Sequence, residues 1–291
     1  MPPKRRKHCQ AVRTSILSKK WRYHWCRITE LNLDSRLWET KMDKLYPTVK
    51  FTKIIYQILS LHEGPITKFS LDIAALKSCP NIDNFIHFLS RNDIQQLVLE
   101  LPWEVSLSLY QGSSMEADNF FFAMFFESCT ALERLFLHFN GSEIEPEDDD
   151  EVAMRLPFDV NCVKYLYLRF LILEESYDLS HVLCCIRSFP YLEYLEIQVG
   201  FGDAGSVESL ELEHFTDMTL NHLREIKVER FEGTPPEMQL VELLLAKSPG
   251  LVRMLIDTWI PDDTIVSRPG AFTEVSKFWR ASPKAQVVHK S

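Results

Sequence analysis

Apolar residues recur along this chain in a six-residue phrase, apolar–x–x–apolar–x–apolar. It reads ITELNL from Ile28, ITKFSL from Ile66, IQQLVL from Ile94 and LERLFL from Leu132. It returns as VKYLYL from Val163, LEYLEI from Leu192, LREIKV from Leu223 and LVRMLI from Leu251. The fourth positions are Leu31, Phe69, Leu97, Leu135, Leu166, Leu195, Ile226 and Met254, at intervals of 38, 28, 38, 31, 29, 31 and 28 residues. One such phrase says little, because leucine is common; eight at a near-constant interval are a repeat. The alternation that closes each phrase predicts a short strand with one buried face.

Between the phrases the apolar period changes to that of a helix. NIDNFIHFLS places Ile82, Phe85, Ile86 and Leu89 at i, i+3, i+4 and i+7. TPPEMQLVELLLAKSPG opens on prolines, closes on Pro-Gly, and offers Met238, Val241, Leu244 and Leu245 as a buried face. FTKIIYQILSLHEGP, NFFFAMFFESC and SHVLCCIRSFP behave similarly. Helix, short break, strand is thus the unit. One such coil cannot cover its own apolar face and must stack on the next. The expected fold is α/β: an irregular leucine-rich-repeat solenoid, a curved parallel sheet with helices on the convex side and the x positions facing the concave side. Unequal units and the lack of an asparagine ladder predict an irregular arc with loop insertions. An ordinary α/β domain is disfavoured by the regular spacing.

The stretch AVRTSILSKKWRYHWC, residues 11–26, reads as one helix with two apolar stripes. Val12, Ile16 and Tyr23 form one; Leu17, Trp21 and Trp25 form the other, centred about 160° away. A surface helix needs one apolar face, so this helix is expected to be covered from two sides. The downstream repeats supply one cover.

Charge divides the chain. The net value of −9 combines nine Lys and Arg with no acid in residues 1–27, and seven acids with no base in EIEPEDDDE, residues 143–151. The remainder is acidic, so general nucleic-acid binding is disfavoured. The acidic stretch reads as a solvated loop. Lys4, Arg5, Arg6 and Lys7 form KRRK, which reads either as a nuclear import signal or as an inert basic terminus. No run of about 18 apolar residues occurs, and no membrane partner is expected.

Candidate chemistry adds little. The 7 cysteines form no C-x-x-C pair and read as small buried residues of a reducing compartment, nuclear or cytoplasmic. Cys184 and Cys185 with His181 fit a core better than a metal site, since adjacent positions on a helix point about 100° apart. His87, His138 and His214 are isolated in the sequence. Phosphate-binding, zinc-hydrolase and nucleophile-elbow motifs do not occur. No enzyme, metal or cofactor is expected. Trp103 and Trp259 follow repeat strands at the expected rim, where aromatics serve as interface anchors or as packing.

Three stretches carry a resemblance. AVRTSILSKKWRYHW resembles the end of the F-box of plant F-box/FBD/LRR-repeat proteins, and KFSLDIAALKSCPNIDNFIHFLSRNDIQQLVLEL is similar to their first repeats. LREIKVERFEGTPPEMQLVELLLAKSPGLVRMLI looks like their FBD region, with Phe231, Gly233, Glu237, Leu244, Leu245, Ala246 and Met254 on matching positions. The resemblance implies three parts. These are a basic N-terminus with a residual F-box helix (1–27), leucine-rich repeats (28–214) and FBD-like C-terminal repeats (215–291). It implies a non-catalytic substrate receptor of an SCF-type cullin–RING ubiquitin ligase, monomeric outside that complex. Its partners would be a protein substrate and a Skp-type adaptor, the latter touching Leu17, Trp21 and Trp25. An F-box of that family opens with a leucine–proline phrase and two further helices, where MPPKRRKHCQ stands here. The expectation is therefore an F-box lacking its N-terminal part, and the alternative is a scaffold that binds targets without entering a ligase.

Overall fold

The structure is a computed structural model that describes residues 24–33, 54–55, 57–72, 89, 92–101, 129–139, 159–171, 173, 182–183, 185–200, 215, 218–258 and 270–290. Each repeat phrase in them ends in a strand. In chain order these are β1 (Glu30–Leu33), β2 (Lys68–Asp72), β3 (Gln96–Leu101), β4 (Arg134–Phe139), β5 (Tyr165–Leu171), β6 (Tyr194–Val199), β7 (Glu225–Glu229) and β8 (Arg253–Asp257). They lie side by side in sequence order, every pair parallel, with β9 (Gln286–Lys290) added after β8. A doubly wound sheet reverses its strand order at a switch point; this order never reverses.

The register joins the repeat to the sheet. Leu31 pairs with Phe69, and the ladder continues without a slip through Leu97, Leu135, Leu166, Leu195, Ile226 and Met254 to Val287. The fourth positions thus form one row across nine strands, and those from Phe69 to Met254 are at most 2% exposed. The sixth positions, from Leu33 to Ile256, form a second buried row two residues on. A third lies just ahead of the strands, where Ile66, Ile94, Leu132, Val163, Leu192, Leu223 and Leu251 are buried. Backbone bonds tie this edge coil to coil: Thr67 donates to Thr29, Gln95 to Thr67 and Glu133 to Gln95, and the series runs on to Val252 and Arg224. Burying these rows is favourable by about 25 cal/mol per Å² of apolar surface.

β9 does not follow the phrase. Its register places Lys284 and His289 where the other repeats carry apolar residues. Both side chains are exposed. Ser282 closes the junction by donating to the Leu251 carbonyl at 2.6 Å.

The proline-initiated helix forms as α1 (Pro235–Lys247). Its entry is built by the residues of the FBD-like phrase. Phe231 is buried, Gly233 takes a positive φ of 79°, and the Glu237 side chain turns back to accept from the N–H groups of Glu232, Gly233 and Thr234. Three otherwise unpaired donors are satisfied by one carboxylate. More of α1 is buried than its apolar stripe indicates, because Leu240 and Leu243 are covered along with the expected face. A second short helix, α2 (Ala271–Val275), and the segment after it lie beside α1, Ala281 donating to the Leu245 carbonyl at 3.1 Å. After α1 the chain returns at Gly250, where an added Cβ would stand 2.7 Å from the Asn221 carbonyl oxygen.

Helical backbone also appears at 57–61 and 185–187, inside the stretches predicted to be helical. Of the expected helix over 11–26, the described end is a 3-10 turn, His24–Arg27. The Cys26 carbonyl in this turn accepts from the N–H groups of Glu63 and Gly64 of the next coil. The rest of that helix and the acidic stretch 143–151 lie outside the described residues.

Candidate functional site

Alternation puts the x positions of every strand on the face opposite the buried rows. The central row there reads Asn32, Ser70, Val98, Phe136, Tyr167, Glu196, Lys227, Leu255 and Val288 from β1 to β9. Neighbouring rows supply Arg134, Tyr165 and Tyr194 on one side, and Glu100, His138, Arg169, Gln198 and Glu229 on the other. Its chemistry is concentrated on β4–β7.

On β4–β6 the side chains are aromatic. The Phe136 ring stands 5.3 Å from Tyr165 and 5.8 Å, edge-on, from Tyr167. Tyr194 follows Tyr165 at 6.5 Å, and the Arg134 guanidinium lies over the Tyr165 ring at 5.5 Å. Such centroid distances are those of favourable aromatic pairs. Tyr194 remains 40% exposed, so the cluster offers contact area as well as packing.

On β6 and β7 the row becomes ionic. Lys227 lies between two carboxylates, 2.7 Å from Glu196 and in contact with Glu229. Tyr165 donates to Glu196 from one side; Gln198 donates to Glu229 at 3.0 Å, and Arg169 to Gln198 at 3.0 Å. Partial burial works against the charge on Lys227, but its bonds to Glu196 and Glu229 outweigh that and hold it protonated. Burial, then the bond to Glu196, pushes the Tyr165 hydroxyl up; Tyr167 is raised chiefly by burial. A depression of about 130 Å³ lies here, lined by Tyr165, Tyr194, Glu196, Glu225, Lys227 and Arg253 among others. It offers fixed donors, acceptors and ring faces, with no nucleophile beside an available base at neutral pH.

Two cysteines lie close together away from this face. Burial raises the Cys129 thiol to about 12, and Cys162 donates to the Cys129 carbonyl at 3.4 Å. Cys26, Cys129, Cys162 and Cys185 are free thiols, three of them buried. His138 is not isolated as the sequence suggests: Glu100 on the adjacent strand stands 3.2 Å from its Nδ1, and Tyr167 lies against its ring. No group of three metal-ligating side chains occurs among the described residues. No helix among them is long and apolar enough to cross a membrane.

Lys4, Arg5, Arg6, Lys7, Leu17, Trp21, Trp103 and Trp259 lie outside the described residues, as does the side chain of Trp25. The face itself escaped notice because its partners sit 29 to 31 residues apart. That separation is one repeat, and it pairs them only once the register is known.

Comparisons with known proteins agree with this architecture. Over 91 residues the chain is 42% identical to an F-box/FBD/LRR-repeat protein of Arabidopsis thaliana, an overlap covering 31% of this chain and 22% of the relative. A second Arabidopsis protein of that description is 29% identical over 91 residues, 31% of this chain and 20% of the relative. A third aligns over 216 residues at 24% identity, 66% of this chain and 49% of the relative. The chain thus spans between about a fifth and about half of the length of these curated relatives. No family model and no solved structure matches it. By these alignments the chain is similar, over part of its length, to plant proteins described as F-box/FBD/LRR-repeat proteins.

Proposed function

We propose that the chain is a non-catalytic protein-interaction module serving as the substrate-recognition part of an SCF-type cullin–RING ubiquitin ligase. The observation that carries this reading is the unreversed parallel ladder, whose second face presents a fixed aromatic and ionic surface between β4 and β7. Tyrosine and arginine on a rigid support are the residues on which interface energy concentrates. The relatives' shared F-box/FBD/LRR-repeat description supports the assignment. In this reading the sheet curves as a leucine-rich-repeat solenoid with helices on its convex side, and the protein substrate meets the concave face. Residues 28–214 are repeats, 215–291 are FBD-like repeats, and 1–27 hold the F-box-type helix. Leu17, Trp21 and Trp25 then contact a Skp-type adaptor, Trp103 and Trp259 stand at the substrate rim, and Lys4 to Lys7 direct nuclear import within a nuclear and cytoplasmic distribution. The work done is positioning: a substrate held here is brought to a ligase that does the chemistry.

Co-purification of the full chain with a Skp-type adaptor and cullin tests the proposal. Retention of the adaptor, lost in a Leu17→Asp/Trp21→Asp variant that still folds, is the expected result. Retention of cellular target proteins with no adaptor identifies instead a scaffold that binds targets outside a ligase.

A further inference from the structure

The ends of β5 and β7 break a rule that the other strands keep. Phe170 is an extra residue: Arg169 pairs with Gln198 and Leu171 with Val199, which leaves Phe170 bulged between them. Its φ is 58°, and that of Arg230, directly after β7, is 60°. A left-handed backbone is unfavourable for a side chain this large, and such residues gather where a site must be held in one shape. Here the two converge. The Phe170 ring reaches past the end of β6, with the Arg169 guanidinium over it at 4.4 Å and the Arg230 guanidinium at 5.4 Å. Two cations therefore share one ring, and a bulge has aimed it between them.

Arg169 is already half-used. Its Nε donates to Gln198, and the ring fixes its plane. No carboxylate is bonded to it among the described residues. The nearby acid, Glu229, is taken by Lys227 and by Gln198. The two Nη groups of Arg169 are thus left as a pre-oriented fork, the geometry that receives a carboxylate through two parallel bonds.

We infer that Arg169, held in place by Gln198 and the Phe170 ring, is a docking site for an acidic segment of a protein partner, one Asp or Glu carboxylate seated on its Nη fork. The inference rests on the substrate-receptor reading and names the chemistry of the bound segment. Charge complementarity supports it, because outside the basic residues 1–27 the chain is strongly acidic and offers an acidic peptide few other seats.

The test is fluorescence anisotropy of the purified full chain with labelled hexaglutamate, hexalysine and a phosphoserine hexapeptide, at low salt. Saturable hexaglutamate binding is expected, weakened about tenfold or more by Arg169→Gln. Arg169→Lys is expected to recover little, since it keeps the charge and loses the fork. Phe170→Gly tests the ring without a folding penalty, because glycine accepts the left-handed backbone, and it is expected to weaken binding as well. Arg224→Gln, an exposed arginine at the opposite strand ends, is expected to change nothing. Loss of binding in Arg224→Gln equal to that in Arg169→Gln would show bulk charge and overturn the site. Absence of saturable hexaglutamate binding, or binding by the phosphoserine peptide alone, would overturn the carboxylate assignment. The adaptor experiment reads a different surface, so failure of one is distinguishable from failure of the other.

Discussion

Glu237 shows how much one side chain can fix. It is 3% exposed and holds three backbone N–H groups at the mouth of α1, at 2.9, 2.6 and 3.1 Å. Burial raises its carboxyl from 4.5 to about 7, although the three donors favour the charged form. An acid whose folded value is raised binds its proton more tightly when folded. Its contribution is therefore whole below its ordinary value and falls away as pH rises toward about 7. The full change is about 3 kcal/mol. Glu237→Gln keeps an acceptor without the proton equilibrium. Urea midpoints measured from about pH 4 to pH 8 should show this decline in the parent chain and a flatter course in Glu237→Gln. A parent that gains stability relative to the variant across that window contradicts the assignment. Glycine at 233 and glutamate at 237 were readable as part of a phrase. Phe170 and Arg230 were not, since nothing in a sequence marks a left-handed phenylalanine or arginine; only the register exposes the bulge.

At the scale of the element, the phrase and the strand coincide because alternation leaves a single solution. A slip of one residue would turn Leu166 and Leu168, both fully buried, to the opposite face. Leu166→Ala should therefore cost about 2–5 kcal/mol in chemical unfolding, as truncation of a closely packed core residue does. Gly250→Ala is a sharper probe of the coil-to-coil spacing. Its methyl would meet a backbone oxygen at 2.7 Å, which cannot rotate away as a side chain can. A loss of about 1–3 kcal/mol is expected, and a neutral or stabilising result would mean that the coils sit further apart than described. The helices were less legible than the strands. The apolar stripe of α1 revealed the four expected positions, but Leu240 and Leu243 are buried as well, and the later segment that bonds to Leu245 is joined to the helix by no local pattern. β9 was missed for a related reason. It pairs fully with β8 while Lys284 and His289 stand at positions that are apolar in the other repeats, so no repeat phrase marks it.

At the scale of the whole molecule, each described strand pairs with its neighbours in the order β1 to β9 and with no other described strand, so stability is shared locally. The face follows the same rule: Tyr165 to Glu196, Arg169 to Gln198, Lys227 to Glu196 and Gln198 to Glu229 each join adjacent coils. The sequence therefore held the fold in its repeat and concealed the site in the same repeat, because the chemistry lies in the x positions that the pattern leaves free. A distinct behaviour is expected from this arrangement. In a single cooperative core, a destabilising change lowers hydrogen-exchange protection everywhere that protection depends on global unfolding. In a stack of coils it lowers protection beside itself and fades with distance. Leu166→Ala on β5 should thus accelerate amide exchange in β4, β5 and β6 by at least about tenfold, a change of about 1.4 kcal/mol in local opening. It should leave β8 and β9, three and four strands away, near their parent rates. Peptide-resolved exchange measures both at once. Uniform acceleration from β1 to β9 would show that the sheet unfolds as one body, and a sheet of that kind would not allow one end to loosen while the face on β4–β7 stays formed.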